Sequence, residues 1–152
     1  MLRKVETVIR LLVVVGLLGC AYRGEVAKVS NQVKGVDKDL LKRVEYYWGY
    51  RKEAARDISD ADLLLNEFEA PHVKEMIPRN RYEKYIKYMS KSLSDVYIDR
   101  FLGCDRDFYC CFDVVFGYST VAGKTYSKDC WVKVDGKWYH VLFNPLFFPE
   151  LQ

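Results

Sequence analysis

Histidine is scarce in this sequence: His72 and His140 are the only two among 152 residues. No Cys-x-x-Cys pair is present either, so the usual ligand patterns of a zinc site are missing and no metal or cofactor is expected. Charge of one sign is also lacking. The net charge is only +3, and no basic run stands out. A nucleic-acid partner therefore has no electrostatic footprint to meet. The apolar run from Leu11 to Leu18, broken only by Gly16, is far short of the roughly 20 residues that cross a bilayer. Internal repeats and low-complexity stretches are absent. Aromatic residues, by contrast, are plentiful at 15%, and half the residues are hydrophobic. That composition indicates a folded domain and not disorder.

The amino terminus has a layout of its own. Arg3, Lys4 and Arg10 precede or open the apolar run, in the order expected of a secretory signal. The segment Leu17-Leu18-Gly19-Cys20 resembles a bacterial lipobox, and that resemblance implies cleavage before Cys20 and lipid attachment to it. More than one acyl chain is needed for a stable hold on a membrane. The alternative is an uncleaved anchor or an ordinary signal peptide. The expected division is a signal peptide over 1–19, a lipidated and possibly helical tether over 20–36, and one domain over 37–152. The implied location is the bacterial cell envelope, outside the cytoplasm, with the membrane as a partner through Cys20. Loss of residues 1–19 takes Arg3, Lys4 and Arg10 against Glu6, so the net charge falls from +3 to +1.

Val26, Val29, Val33 and Val36 fall at helical spacing, and Leu40, Val44 and Trp48 continue the stripe. Either a linker precedes a helix beginning near Asp37, which is the preferred reading, or the helix starts earlier and carries Gly35 at a cost. Ser59 and Asp62 mark a second helix start, with Leu63, Leu64, Leu65 and Phe68 as its apolar part. Pro71 should interrupt it. A third helical piece runs over 81–91, with Tyr82, Tyr85, Ile86 and Met89 on one face. From Ser94 the period changes to two, giving strands over 95–102, 107–118, 124–134 and 137–143. Helices followed by antiparallel strands predict an α+β fold, with helices packed on one face of a four-stranded curved sheet.

Asp135-Gly136 is a two-residue hairpin signal. It places Val134 opposite Lys137, Val132 opposite Tyr139, and Cys130 opposite Val141. Cys130, Val132 and Val134 then share a face with Tyr139, Val141 and Phe143. The even residues Phe108 to Phe116 should join that face and meet the helices, if the loop at 120–123 matches even numbers with even numbers. The opposite face would carry Asp113, Trp131, Trp138 and His140. Tryptophans on a wet face imply cover by a partner protein, by a second copy in a homodimer, or by the carboxy-terminal segment 144–152.

The aromatic helix Tyr46-Tyr47-Trp48-Gly49-Tyr50, the Glu69-Ala70-Pro71-His72 bend and the closing hairpin Cys130-Trp131-Val132-Lys133-Val134-Asp135-Gly136-Lys137-Trp138-Tyr139-His140 resemble the nuclear-transport-factor-2-like (cystatin-like) superfamily over residues 38–145. The resemblance implies a cone-shaped sheet wrapped around helices. Enzymes of that group place an Asp, Glu or His inside the cone. Here the expected inner face is apolar, Asp113 and His140 point outward, and His72 sits in a surface bend. Catalysis is therefore not expected, although a base such as Asp99 would need only reach to a bound substrate.

Four cysteines follow Cys20, and an exported location favours disulfides. The register favours a Cys110–Cys130 bridge. A one-residue shift would select Cys111 instead, and free buried thiols are the third possibility. The expected function is a non-catalytic envelope binding or self-association domain, with Trp131, Trp138 and His140 as its interface. The alternatives are an apolar ligand in the cone against Trp48, Phe112, Val114, Val132 and Tyr139, or an isomerase- or cyclase-like enzyme.

Overall fold

In the computed structural model, which describes residues 26–54, 57–91, 93–118 and 121–152, the first long helix starts where its cap does. Asp37 accepts hydrogen bonds from the backbone N–H groups of Asp39 and Leu40 (2.8 and 3.1 Å). Such a cap satisfies donors that the helix itself cannot. Helix α1 then runs over Lys38–Glu53. Gly35 lies outside it at φ 69°, so the helix does begin near Asp37, but the segment before it is more than a linker, since Lys28–Val29 forms a strand and Ala27 is buried. The signal, Cys20 and residues 21–25 of the tether fall outside the described residues. Among the described residues no helix is long and apolar enough to cross a membrane.

Asp57 caps α2 (Ile58–Leu63) by accepting from Ser59 N–H at 2.9 Å. The helix loosens into a π-helical turn over Leu64–Phe68. Pro71 then does what proline does to the residue before it: Ala70 is extended at ψ 144°, and Glu69 is extended as well at ψ 146°. Helices α3 (Pro71–Met76) and α4 (Arg79–Ser90) follow. Tyr82, Tyr85 and Ile86 form the buried face of α4.

The sheet has five strands in the order β1-β2-β3-β4-β5. They are Lys28–Val29, Leu93–Asp105, Tyr109–Tyr118, Val121–Val134 and Lys137–His140. The expected α+β class holds, but the four-stranded antiparallel description does not. The short β1 pairs parallel with β2, Lys28 against Tyr97, and two residues are too few to leave a periodic signal. The β4–β5 hairpin has the expected register, with Val134 opposite Lys137 and Val132 opposite Tyr139. Asp135 and Gly136 both have positive φ (49° and 79°), as that turn requires.

The β3–β4 register differs from expectation, and much follows from it. Cys110 lies opposite Trp131, Cys111 opposite Cys130 and Phe112 opposite Asp129. Even residues of β3 meet odd residues of β4. A one-residue slip exchanges the two faces of a strand. Trp131 and Trp138 are therefore buried, at 0% and 3% exposure, and Val134 and Phe143 point to solvent. The face expected to be wet is the face against the helices.

The same slip decides the disulfides. Cys111 bonds Cys130, and Cys104 bonds Cys110. The expected Cys110–Cys130 bridge is incorrect because Cys110 faces Trp131. Both bridges join directly opposed residues, with Cα separations of 4.0 and 4.1 Å, so β3 is stapled to β2 on one side and β4 on the other. The segment 144–152 does not cover the outer sheet face. It packs on α4, with Phe148 fully buried 4.9 Å from the Tyr85 ring, and Arg81 pairs with Glu150.

Closing a longer loop removes more entropy from the unfolded chain. The 19-residue Cys111–Cys130 separation should contribute about 3 kcal/mol and the six-residue Cys104–Cys110 separation about 2. Urea unfolding of Cys111→Ser/Cys130→Ser and Cys104→Ser/Cys110→Ser chains measures both losses. Wild-type stability in a Cys104→Ser/Cys111→Ser chain, with Cys110 bonded to Cys130, would show this pairing to be wrong.

Candidate functional site

Glu69 would be a surface residue if α2 ran on as a regular helix. Instead the extended Glu69–Ala70 segment lies along the end of β5. Glu69 and His140 form a parallel bridge, and Ala70 N–H donates to the His140 carbonyl at 3.1 Å. This brings Glu69 to 0% exposure beside a strand seventy residues away. The β4–β5 register brings His140 opposite Trp131, and Asp129 shares the inward face of Trp131.

These placements build a buried ladder. His140 Nδ1 is 2.7 Å from Glu69 Oε2, and its Nε2 is 2.9 Å from Asp129 Oδ1. Ionised carboxylates only accept, so with both carboxyl groups ionised both ring nitrogens donate and the ring is an imidazolium. The remaining oxygens are filled too. Asp129 Oδ2 accepts from the Trp131 and Trp48 indoles at 2.7 and 3.1 Å. Glu69 Oε1 accepts from the Tyr82 and Tyr47 hydroxyls at 2.6 and 3.1 Å. Burial, with Glu69 beside them, raises both tyrosines well above their ordinary value, so they remain donors. The Tyr47 ring stacks on the imidazolium at 4.2 Å.

Arg51, one turn beyond Tyr47 on α1, completes the group. It is 4% exposed, and its Nη1 donates to the Tyr47 hydroxyl at 2.9 Å. Burial opposes its charge, but the oxygens of Tyr47, Tyr85 and Tyr82 more than offset this, and its pKa is raised. The guanidinium lies within 5.7 Å of the Tyr47, Trp48 and Tyr85 ring centres. Two carboxylates and two cations leave the cluster neutral. The ladder is linear, with its carboxylates on opposite edges of the ring, so it does not converge on a point that a metal would occupy. No group of three or more metal-binding side chains is placed for that purpose among the described residues.

A cavity of about 400 Å³ opens beside the ladder. Trp48, Arg51, Tyr85, Phe116, Asp129 and His140 contribute to its wall. Tyr126 and Phe143, also in the lining, are 64% and 71% exposed. Of the residues expected to hold an apolar ligand, only Trp48 lines it. Phe112 and Val114 are solid core, and Val132 and Tyr139 are half-buried partners of that core. Trp131, Trp138 and His140 are no surface for a partner, since all three are buried within the single chain. Asp113 does face outward, paired with Arg100 at 2.8 Å, and His72 is exposed. Asp99 is absent from the cavity wall. Glu69, Asp129 and Arg51 were not picked out as site residues. A carboxyl residue directly before Ala-Pro in an apolar stretch was the available signal for Glu69.

The comparisons with known proteins correct the family reading. No protein-family model and no curated protein matches this chain. Among solved structures, it is similar to the solution structure of a SEC-C motif containing protein from Rhodopseudomonas palustris. The identity is 15%, the match covers 68% of this chain and 83% of that one, and the TM-score is 0.41. The neighbour found is thus not a nuclear-transport-factor-2-like domain, and nothing in the comparisons supports a lipoprotein. The identification as a lipoprotein of that superfamily does not stand. A likeness at this level carries no statement about function.

The ladder makes stability depend on pH. Burial alone would lower the His140 pKa, but Glu69 and Asp129 outweigh it and raise it from 6.5 to about 9. The folded state therefore keeps a proton that the unfolded chain releases. This stabilisation, on the order of 3 kcal/mol, is complete below pH 6.5 and is lost as pH rises through about 9. Urea midpoints across that window should fall for the wild type and stay much flatter for His140→Gln. A wild-type midpoint that does not fall would rule out the imidazolium.

Proposed function

We propose that this is a non-catalytic domain that binds a small molecule in the cavity beside the ladder. The observation that carries this reading is the cavity itself. Its volume of about 400 Å³ falls in the range of small-molecule sites, in a core whose other large side chains are closely packed. Exposed aromatic side chains, Tyr126 and Phe143, belong to the same lining and offer apolar contact at the entrance. Exposed apolar surface of this kind marks contact with something.

The saturation of the ladder favours binding over catalysis. A general base must accept a proton from substrate within hydrogen-bond reach. His140 has no unprotonated nitrogen at neutral pH, and the hydrogen bonds of Asp129 are committed to His140, Trp48 and Trp131. Freeing either group for proton transfer would break a buried ion pair, which costs about 3–5 kcal/mol. The ladder is better suited to fixing the shape of a wall.

The neutral fluorescent probe N-phenyl-1-naphthylamine should bind the purified protein and shift the indole N–H resonance of Trp48. Ser127 lines the cavity from β4, and Ser127→Trp should fill it. That variant should bind the probe at least ten-fold more weakly with its unfolding midpoint little changed. Equal binding by the filled variant would place the probe elsewhere and remove the support for this reading.

A further inference from the structure

We infer that the cavity selects an organic anion, a carboxylate or sulfonate on a flat apolar body, and that Arg51 is the residue that selects it. The inference rests on the small-molecule reading above and adds the charge of the ligand. Its basis is an inventory of which polar groups in the wall are already satisfied. Every carboxylate oxygen and ring nitrogen of the ladder has a partner. Arg51 is the exception. It is only 4% exposed, its Nη1 donates to a neutral hydroxyl, and its buried Nε has no partner among the described residues.

A buried cation without a carboxylate partner is uncommon, because burying a charge is costly unless it is paired. Arg51 is held by the faces of Trp48 and Tyr85, which stabilise the cation but use none of its N–H donors. A guanidinium presents those donors in a planar fork that fits a carboxylate or sulfonate. The same two rings and Phe116 line the cavity. Their edges would give apolar contact to an aromatic or otherwise flat body while its anionic end meets Arg51. A cationic ligand would meet Arg51 and Lys128 in the same wall, and a fully neutral one leaves Arg51 as it is.

Two probes that differ only in a sulfonate test this. 8-Anilinonaphthalene-1-sulfonate is N-phenyl-1-naphthylamine with an anionic group added. Titrated into the wild-type protein at pH 7, the sulfonate should bind at least ten-fold more tightly than the amine, and it should shift the Arg51 Nε–H resonance. Arg51→Met should bring the ratio of the two affinities close to one. If that variant does not fold, the wild-type ratio and the Arg51 resonance decide alone. Equal affinities in the wild type, with both probes shifting Trp48, would overturn the anion selectivity and leave the binding reading intact. A ratio unchanged in folded Arg51→Met would overturn the role of Arg51. Failure of both probes to reach the cavity would overturn the binding reading and this inference with it.

Discussion

His140 sits between Glu69 and Asp129 as a cation with an anion at each nitrogen, and most of the domain is arranged to make that burial possible. Removing charges from water costs several kcal/mol per ion, and mutual attraction compensates only when the remaining hydrogen-bonding capacity is also met. Here it is met from four directions. Tyr47 and Trp48 come from α1, Tyr82 from α4, Trp131 from β4, and the anchoring carboxylate from the segment before Pro71. Each of these elements is fixed at the point where it touches the ladder. The π-helical turn over Leu64–Phe68 follows from the same requirement. Together with Pro71 it ends the helix in an extended Glu69, which reaches β5. A π-turn at such a place is a common sign of a local demand that a regular helix cannot meet.

What was legible in the sequence was local. The helix start near Asp37, the Asp135-Gly136 turn, the period-two strands and the break at Pro71 each depend on residues within a few positions of one another, and each is found in the structure. What was not legible was the parity of one loop. Between β3 and β4 the sequence offers no turn that forces a register, and the apolar alternation of β3 is weak because Cys111 and Val115 on the other face are buried as well. A single residue of slip then reversed the orientation of both following strands. It turned the expected interface of Trp131, Trp138 and His140 into core, moved the bridge from Cys110 to Cys111, and hid Asp129 inside. These three differences have one cause. The family resemblance leaned on the same hairpin, whose tryptophans and Asp-Gly turn specify two strands and not a whole architecture.

The disulfides and the ladder constrain the same stretch of sheet. Cys111–Cys130 joins β3 to β4 beside Asp129, and Cys104–Cys110 joins β2 to β3 one residue away along the chain. A register slip between β3 and β4 would expose Asp129 and move Cys111 away from Cys130. The covalent bond therefore holds the one register that the loop sequence leaves open, and the ion ladder penalises every other.

The neutrality of the cluster links the ladder to the cavity. Glu69 and Asp129 bring two negative charges to the ladder, and the imidazolium of His140 offsets one of them. Were His140 to lose its proton, Glu69 and Asp129 would lose the cation between them, and an incoming anion would meet a less favourable wall. With the proton in place the cluster is neutral, and the donors of Arg51 are available to a ligand. Linkage then works in both directions: an anion held at Arg51 adds to the field that keeps His140 protonated, and the proton on His140 favours the anion. The ladder need not take part in any reaction to matter for binding. By holding a proton against burial, it leaves the charge preference of the cavity beside it to Arg51.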